Sequence, residues 1–438
     1  MVLAAAHLSC DEPSWGLDAI EAMRTPPDPP LSGPLTLPPD AHAAERAACA
    51  FGPGATAADT LALPPTTAER IPIRHVVVLM RENRSFDHLL GWLGEEGQPQ
   101  SAPIPPSYVN FDPRAAIVHP QHAATTCLSV DPDHGWDAMH AGIRGGAMDG
   151  FVASAAASLG GDGHVAMDTY QRSDLPFYYW LASTWALDDR HFAAVASGTD
   201  PNRDFLLLAT NDGEQDTNTG APSASTPSIF RRLMDAGYTW GAYSDDAPFS
   251  GTLQWDGDDP GVHGLADFLQ ALDAGTLPNV AFVDGVQNYD DDHPPADLQR
   301  GEAWLRDIYQ RAIASPQWPR LALIWTYDES GGFADHVPPP LGCVARTLPE
   351  DQRFFELGPR VPLVAISPYA KHHYVSHVVQ DHTAITRFVE AIFGLPALTA
   401  RDANSDALLD LFDFSGPPPM LTPPAAPPAG TNGCTPDG

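Results

Sequence analysis

The hydrophobic pattern of the chain is clearest between residues 73 and 91, where an apolar run ends in a polar corner. The run Val76-Val77-Val78-Leu79-Met80 is followed directly by Arg81-Glu82-Asn83-Arg84. A continuous apolar run of this length is typical of a parallel strand that is buried on both faces. Apolar residues at helical spacing come next, namely Phe86, Leu89 and Leu90. The pattern therefore predicts a strand, a polar corner and a helix that begins near Ser85, which could cap it.

Similar patterns recur along the chain and predict alternating strands and helices. Strands are predicted where β-branched, aromatic and aliphatic residues are grouped, over residues 238–243, 278–284, 320–327 and 360–366. Helices are predicted over residues 174–193, 228–236, 297–314 and 384–393, and the last of these is followed by Gly394 and Pro396. Strands that alternate with helices predict an α/β fold around a mostly parallel central sheet.

Proline-rich segments divide the chain into three predicted parts. Residues 1–70 contain Thr25-Pro-Pro-Asp-Pro-Pro30 and show no sustained hydrophobic period. We expect them to form an arm that lies on the body or is partly disordered. Residues 71–415 carry the strand and helix patterns and are expected to form the folded body, and residues 416–438 form a proline-rich tail. Within the body, a loop-rich region over residues 97–133 leads into His134.

Three polar clusters are interpreted as lying at strand ends, namely Glu82-Asn83, Thr199 with Asn202 and Arg203, and Asp328-Glu329. The carboxyl ends of parallel strands meet at one edge of a sheet, so we expect these clusters to converge. Their side chains offer oxygen donors, which hard divalent cations prefer, whereas softer metals prefer Cys and His. Several carboxylates in a small volume repel one another unless a cation or protons neutralise them. The clusters therefore predict one oxygen-ligated divalent metal ion, for which Ca²⁺ is the favoured candidate.

Thr199 is the candidate nucleophile of this set. A hydroxyl that contacts a metal ion has a lowered pKa, as metal-bound water does. His134 and His293 lie in the loops nearest the predicted strand ends, and histidine titrates in the range needed to protonate a leaving alkoxide. Each residue also has a structural interpretation, because a single carboxylate is more often solvated than ligating and a threonine or histidine in a loop often serves only the loop.

Two further groups of polar residues are assigned to structure rather than to chemistry. The acidic run Asp290-Asp291-Asp292 is interpreted as solvated surface, and Trp136 could belong to the core. His336 and His382 lie in a turn and at a helix cap, so we interpret them as structural or as supports of the site.

Composition limits the binding partners of the chain. Its 438 residues carry a formal net charge of −33 and are 43% hydrophobic, which is ample for a large core. Binding to duplex nucleic acid requires clustered Lys and Arg, and docking on anionic lipid requires them as well. Both modes are therefore disfavoured. The sequence has no run of 18 or more apolar residues, so no membrane-spanning segment is predicted.

Five cysteines bear on the compartment, namely Cys10, Cys49, Cys127, Cys343 and Cys434. They contain no C-x-x-C pair, which excludes the usual zinc knuckles. If Cys10 is unpaired or lipid-anchored, the other four allow up to two disulfides, as expected in an oxidising compartment; five free buried thiols are the alternative. Residues 1–10 look like the end of an export signal but lack a basic start. We expect a protein that is secreted, periplasmic or lipid-anchored at the cell envelope.

Six ordered motifs resemble the bacterial phospholipase C and acid phosphatase family of phosphoesterases, and plant non-specific phospholipases C look similar. The matching segments span about residues 72 to 396 and are V-V-L-M-R-E-N-R-S-F-D-H-L-L-G (77–91), G-T-D-P-N-R (198–203), H-P-P (293–295) with G-E (301–302), T-Y-D-E-S-G-G-F-A-D-H-V-P-P-P (326–340), R-V-P-L-V-A-I-S-P-Y-A (360–370) and D-H-T-A-I-T-R-F-V-E (381–390).

The resemblance implies an alkaline-phosphatase-like α/β/α sandwich with one metal ion near a hydroxyl nucleophile. Glu82 with Asn83, and Asp328 with Glu329, match the family's metal ligands. Thr199 matches its nucleophile, and it would form a covalent phospho-enzyme. His134 and His293 match histidines that line the phosphate pocket. Pocket histidines of the phosphatase branch have no counterpart around residues 238–243, so the substrate stays open between a phospholipid and a small soluble phosphomonoester. The oligomeric state is not predicted.

Two other functions are compatible with parts of the pattern. A sulfatase is one, because Thr199-x-Pro201-x-Arg203 resembles the sulfatase signature, but that signature needs Cys or Ser for conversion to formylglycine. A non-catalytic, Ca²⁺-stabilised binding protein is the other, although a structural ion needs no nucleophile. Aryl phosphate and aryl sulfate hydrolysis would separate the enzymes, and the absence of any hydrolysis would indicate the binding protein.

Overall fold

A computed structural model of the chain describes residues 28, 30–31, 33–220, 222–223, 225–246, 261–348, 351–431 and 434. Residues 1–27 of the predicted arm, with Cys10 and the export segment, lie outside the described residues. Within the described part of the chain, no helix combines the length and the apolar character that a bilayer crossing requires.

The core of the fold is an eight-stranded mixed sheet with the order β13-β6-β12-β11-β1-β10-β8-β9. Its strands are β1 (His75–Arg81), β6 (Ala186–Asp188), β8 (Trp240–Tyr243), β9 (Val262–His263), β10 (Val280–Val283), β11 (Leu321–Tyr327), β12 (Leu363–Ile366) and β13 (Tyr374–Ser376). Six shorter strands form small ladders, namely β2 (Asn110–Phe111), β3 (Ile117–Val118), β4 (Gln121–His122), β5 (Asp168–Thr169), β7 (His191–Phe192) and β14 (Gln380–Asp381).

Thirteen α-helices occur among the described residues. The larger ones are α5 (Trp136–Ile143), α6 (Phe151–Leu159), α7 (Pro176–Thr184), α8 (Thr199–Leu208), α9 (Ile229–Asp235), α10 (Leu265–Ala274), α11 (Leu298–Ala314) and α12 (Thr383–Phe393). The shorter ones are α1 (Ala43–Ala47), α2 (Ala57–Thr60), α3 (Thr67–Arg70), α4 (Phe86–Leu90) and α13 (Ala400–Ala403). Short 3₁₀ turns occupy Arg144–Gly146, His164–Met167, Trp318–Arg320 and Leu409–Leu411.

The strand directions confirm a mostly parallel sheet with one exception. β1 pairs in parallel with both β10 and β11, whereas β12 is antiparallel to β11 and to β6. Every residue of β1 and β11 is buried. Because successive side chains of a strand point to opposite faces, both faces of the sheet are covered. The predicted α/β/α sandwich is therefore present.

Two details of the predicted elements were wrong. The helix expected over residues 174–193 ends at Thr184, and the chain then forms β6 and β7. Aromatic residues such as Phe177, Tyr178 and Tyr179 suit a buried helix and a buried strand equally, so periodicity could not place this boundary. The second error concerns Thr199, which does not follow a strand but is the first residue of α8.

Both proline-rich ends contact the body within the described residues. Leu61 and Leu63 pack in a small cluster with Ala391 and Ala407, and the arm includes α1, α2 and α3. In the tail, Met420 joins the main core. Two disulfides secure these segments, Cys49–Cys343 and Cys127–Cys434, which excludes the alternative of five free thiols.

Candidate active site

The three predicted polar clusters meet at the carboxyl edge of the sheet. Glu82 directly follows β1, and Asp328 directly follows the neighbouring strand β11. Thr199 reaches the same place from the N-terminus of α8, where its Oγ1 donates to Glu82 Oε2 at 3.3 Å. The clusters therefore converge as expected, although the threonine comes from a helix rather than from a strand end.

Asn202 shapes the turn that places Thr199. Its side-chain Oδ1 accepts from Val195 N at 3.0 Å, and its Nδ2 donates to the carbonyls of Ser197 and Gly198, both at 2.9 Å. Gly198 is the extended N-cap residue, and Pro201 falls in the first turn of α8, where a missing backbone N–H costs nothing. The motif G-T-D-P-N-R thus forms a helix start rather than a loop.

Arg203 connects the carboxylates at three strand ends. Its Nη1 contacts Asp284 Oδ1 at 2.7 Å, its Nη2 contacts Glu82 Oε1 at 2.5 Å, and its Nε lies 3.6 Å from Asp328 Oδ2. The sequence analysis did not single out Asp284, although it directly follows the strand predicted over residues 278–284. Its position at that strand end was the available signal.

Asn83 lies between the carboxylates and the two candidate histidines. It has a left-handed backbone (φ 62°), and its N–H donates to Asp328 Oδ1 at 3.0 Å. Without a cation, its amide nitrogen faces Glu329 Oε1 (2.7 Å) and Glu82 Oε2 (3.1 Å), while its oxygen accepts from the Nε2 atoms of His293 (3.0 Å) and His134 (3.1 Å). The opposite orientation gathers the amide oxygen with carboxylate oxygens, an arrangement that a cation would stabilise.

Both candidate histidines present Nε2 to the site. His134 Nδ1 donates to Pro132 O at 2.8 Å, and His293 Nδ1 donates to Pro294 O at 2.6 Å. Burial alone would lower the pKa of His134, but the carboxylates of Glu329 and Asp131 raise it above its ordinary value. The sequence analysis missed Asp131, which lies 3.7 Å from His134 Nδ1 and 3.8 Å from His293 Nε2.

The carboxylates of the site carry more negative charge than the neighbouring cations offset. Burial raises the pKa of Glu329 to about 7, and burial together with Glu82 and Glu329 raises the pKa of Asp328 well above its ordinary value. For Glu82, burial alone would raise the pKa, but Arg203, His293 and the hydrogen bonds of the carboxylate together outweigh burial and lower the value. A site of this kind needs either protons or a further cation.

A divalent metal fits the donor set at this point. Asp328 and Glu329 are buried carboxylates, Glu82 is a half-buried one, and Asn83 adds an amide oxygen. Asp328 Oδ2 is buried and has no hydrogen-bond partner among the described residues. Close by, Asp131, His134 and His293 each offer one ligand atom within 4.8 Å of the others. Hard cations such as Ca²⁺ and Mg²⁺ take carboxylate and amide oxygens as ligands, which is what the first of these two sets offers.

The acidic run at residues 290–292 was assigned to the surface, and this interpretation was wrong. Asp290, Asp291 and Asp292 are all buried. Asp292 Oδ2 accepts from Tyr178 Oη at 2.8 Å and from Tyr327 Oη at 2.7 Å. An acidic triplet between turn residues looks exposed in a sequence, because its buried partners come from distant segments.

Arg81 and Gly301 pack tightly against Asp292. Arg81 Nη2 lies 3.2 Å from Asp292 Oδ1. A side chain at Gly301 of α11 would clash with the same carboxylate oxygen, its Cβ falling 1.7 Å away. Gly301, the glycine of the G-E pair at residues 301–302, thus leaves the space that the Asp292 carboxylate occupies. Asp292 directly precedes the candidate acid His293 in the chain.

His382 and His336 lie behind the site rather than in it. His382 Nε2 contacts the carbonyl oxygen of Asp328 at 2.5 Å, and burial lowers the pKa of this histidine to about 4. His336 Nδ1 contacts Asp87 Oδ2 at 2.7 Å. These contacts agree with the supporting roles predicted for both residues.

A cavity of about 570 Å³ opens over these groups. Glu82, Thr199, Arg203, His134 and His293 all line it, so the candidate nucleophile and the candidate acids face one space. Carboxylates from surrounding loops also line it, namely Asp133, Asp200, Asp216, Asp246, Asp284 and Asp291. The volume is within the range of small-molecule sites.

Comparisons with known proteins identify the family of the chain. The model of the Phosphoesterase family matches residues 73–396. The chain is 31% identical over 395 residues to non-specific phospholipase C3 of Arabidopsis thaliana, covering 79% of this chain and 74% of the relative. It is 31% identical over 418 residues to phospholipase C B of Mycobacterium tuberculosis, covering 79% of this chain and 78% of the relative.

The solved structures to which the chain is similar are more distant. A phosphonate monoester hydrolase of Agrobacterium radiobacter is 12% identical, with a TM-score of 0.40 and 74% of each chain covered. An alkaline phosphatase superfamily protein of Vibrio parahaemolyticus is 12% identical, with a TM-score of 0.33, covering 53% of this chain and 63% of that protein. The assignment therefore depends on the sequence comparisons, and by these the chain belongs to the phosphoesterase family and is a phosphoric ester hydrolase.

Proposed function

We propose that this hydrolase is metal-dependent, of the phospholipase C or acid phosphatase type, and that Thr199 is its nucleophile. The observation that carries the proposal is the position of Thr199 Oγ1, which lies 3.3 Å from Glu82 Oε2 at the start of α8. Thr199 also lines the cavity, together with His134 and His293. A nucleophile, a cluster of candidate metal ligands and two proton donors thus share one space.

The metal ligands in this proposal are Glu82, Asn83, Asp328 and Glu329, together with Thr199. Oxygen donors favour a hard cation, as does Asp328 Oδ2, which accepts no hydrogen bond among the described residues, and we favour Ca²⁺. When bound, such an ion lowers the pKa of the adjacent hydroxyl and offsets charge on phosphoryl oxygens. Arg203 holds Glu82 in place at 2.5 Å and lies farther from Asp328 Oδ2, at 3.6 Å.

The chain's own groups then carry out two displacements. Thr199 Oγ1 gives its proton to Glu82 Oε2, to which it already donates, and forms a bond to phosphorus while the bond to the leaving oxygen breaks, so that the product is a phospho-threonine. His134 or His293 gives its Nε2 proton to the leaving oxygen. A water molecule then gives a proton to the same histidine Nε2 and attacks the phospho-threonine. Thr199 Oγ1 leaves and takes its proton back from Glu82, and the phosphoryl product is released. The N-terminus of α8 favours negative charge beside Thr199.

Replacing Thr199 by Ala tests the nucleophile. The variant removes the attacking oxygen, so we expect kcat to fall by roughly 10³-fold or more while folding stays intact. Thr217→Ala is the matched control, because Thr217 lines the same cavity and its Oγ1 only accepts from Asp200 N at 3.3 Å. Steady-state hydrolysis of p-nitrophenylphosphorylcholine and p-nitrophenyl phosphate provides the measurement, with metal analysis of each protein.

Acid-quenched turnover gives a second measurement of the same step. Mass spectrometry should find an added phosphoryl group on the peptide that contains Thr199, and Thr199→Ser should keep part of the activity. Full activity of Thr199→Ala would end the proposal. Hydrolysis of p-nitrophenyl sulfate but not of the phosphoesters would favour the sulfatase alternative.

We also propose an oxidising compartment for the protein, either outside the cell, in a periplasm or at the cell envelope. Two disulfides join the ends of the chain to the body, and such bonds persist outside the reducing cytosol. Cell fractionation with free-thiol labelling would test this, since a cytosolic and fully reduced protein would contradict it.

A further inference from the structure

A second open cavity, of about 730 Å³, lies beside the candidate active site. Asp133 lines both cavities, and it immediately precedes His134 in the chain. The second cavity is a groove between α5, α6 and the β2 strand. The groove therefore begins next to a residue that is proposed to protonate the leaving group.

Small residues on two helices create this groove. Ala138 and Ala141 of α5 face it together with Ala153 and Ala157 of α6. The helices can approach closely because α5 has a glycine at the crossing: a Cβ on Gly142 would lie 2.7 Å from the Phe151 ring. The close crossing and the short side chains leave an open trough on the outer side.

Several polar groups of the groove bond within the protein, although the carboxylates of Asp112, Asp133 and Asp137 also line it and Asp149 Oδ1 has no hydrogen-bond partner among the described residues. Ser154 Oγ donates to Ala138 O at 3.2 Å, and Ser158 Oγ donates to Ala155 O at 3.1 Å while accepting from Asp133 N at 3.2 Å. Arg144 and Asp149 pair with each other at 2.7 Å. The exposed surface that the groove offers to a ligand is mainly apolar, and the alanines contribute to it.

The rim of the groove adds exposed apolar side chains. Phe111 lines the groove and is 37% exposed, and Ile117, its partner in the β2–β3 ladder, is 62% exposed. A mainly apolar exposed surface next to a candidate active site marks a place where apolar ligand surface can be buried. A soluble phosphomonoester with a short polar leaving group has no use for such a surface.

We propose that this groove binds the hydrocarbon part of the leaving group of a phospholipid. The inference rests on the proposed function, and it selects a phosphodiester lipid over a small soluble phosphomonoester as the substrate. The phosphoryl group occupies the catalytic cavity, the leaving oxygen lies on the side of His134, and the chain attached to it passes Asp133 into the groove. The observation that supports this path is that Asp133 lines both cavities.

The first test uses wild-type protein and monomeric substrates that differ only in the leaving group. Dibutanoyl and dihexanoyl phosphatidylcholine, each below its critical micelle concentration, are compared with p-nitrophenylphosphorylcholine, which has no acyl chain. Each methylene that the groove buries should raise kcat/KM by about fourfold. Monomeric lipids keep this measurement free of any effect of binding to a lipid surface.

The second test fills the groove. Ala153→Trp and Ala157→Trp place a bulky ring in it at exposed helical positions, so folding should be kept, as circular dichroism and Tm can verify. We expect kcat/KM for dihexanoyl phosphatidylcholine to fall at least tenfold, and that for p-nitrophenylphosphorylcholine to change less than twofold. Ala314→Trp, at an exposed position of α11 outside the groove, is the matched control and should change neither.

The outcomes separate this inference from the proposed function. If wild-type protein hydrolyses p-nitrophenyl phosphate but no lipid, or if chain length has no effect, the groove proposal is overturned and the hydrolase survives. The same holds if the tryptophan variants lower both activities equally or leave both unchanged. If wild-type protein hydrolyses no phosphoester at all, the proposed function fails and the groove proposal fails with it.

Discussion

At the scale of single residues, charge is the feature that distinguishes the candidate site. Asp328 and Glu329 are buried, Glu82 is half-buried, and Arg203 shares its one charge among Glu82, Asp284 and Asp328. Unbalanced buried charge is costly and is normally found where it serves a ligand or a metal. Removing one of these carboxylate charges is therefore predicted to stabilise the protein without metal and to weaken its stabilisation by metal.

Glu329→Gln is predicted to separate these two effects. Without metal, burial raises the pKa of Glu329 to about 7 from its ordinary 4.5, so stability falls as pH rises through that window. The neutral variant avoids this, and its Tm in EDTA at pH 8 should exceed that of wild type. With Ca²⁺ added, wild type should gain stability while the variant gains little, because one ligand charge has been lost.

Differential scanning calorimetry with and without Ca²⁺ measures both effects. Glu95→Gln, at an exposed position, is the matched control and should change neither Tm. An equal Ca²⁺-induced shift in wild type and in Glu329→Gln would remove Glu329 from the ligand set.

At the scale of elements, two helices meet at a buried glutamate. Glu302 of α11 accepts from Phe177 N at 2.6 Å and from Tyr178 N at 2.9 Å, both in the first turn of α7, and from Gly430 N of the tail at 2.6 Å. It thus serves as an N-terminal cap supplied from another helix. Burial raises its pKa to about 7, against an ordinary value of 4.5.

Glu302→Gln should destabilise the protein in a pH-dependent way. The amide offers one acceptor in place of two, so one N–H of the three loses its partner, at a cost of about 1–3 kcal/mol. Between pH 4.5 and 7 the folded wild type binds a proton that the unfolded chain does not, so its stability falls as pH rises. The difference from the variant should therefore be larger at pH 5 than at pH 8.

Urea unfolding of both proteins at the two pH values measures that difference. The exposed Glu95→Gln variant again provides the control, with a small effect at either pH. A difference that grows with pH would contradict the assigned pKa direction of Glu302.

At the scale of the whole molecule, two disulfides close long loops. Cys49 and Cys343 are 294 residues apart, and Cys127 and Cys434 are 307 residues apart. A cross-link between distant residues restricts the unfolded chain, and the loss of a native disulfide typically costs 2–5 kcal/mol. The second bond also ties the tail to the loop that leads to His134.

Each pair of Cys→Ser replacements should lower the free energy of unfolding by about 2–5 kcal/mol. Urea unfolding with and without dithiothreitol provides the measurement. The wild type should lose stability on reduction, and a variant that lacks both pairs should not respond. Unchanged stability of the Cys49→Ser/Cys343→Ser variant would show that the arm is held by other contacts.

Much of the fold was predictable because its central elements have strong local signals. β1 and β11 are continuous apolar runs, and the residues that follow them, Glu82 and Asp328, were placed correctly at the edge of the sheet. The helix at residues 174–193 was predicted too long, because a buried aromatic segment shows the same composition in helix and strand. Thr199 was assigned to a strand end because a Gly/Pro corner looks like any turn.

The amino-acid sequence by itself determined the family, the main strands and the pairs Glu82-Asn83 and Asp328-Glu329, because each is encoded within a few adjacent residues. Only the tertiary structure decided the burial of Asp292, the roles of Asp131 and Asp284, the disulfide partners and the groove beside Asp133. Each of these depends on side chains far apart along the chain. No local pattern specifies which distant group will face a given residue, since that is decided by how the layers pack around the sheet.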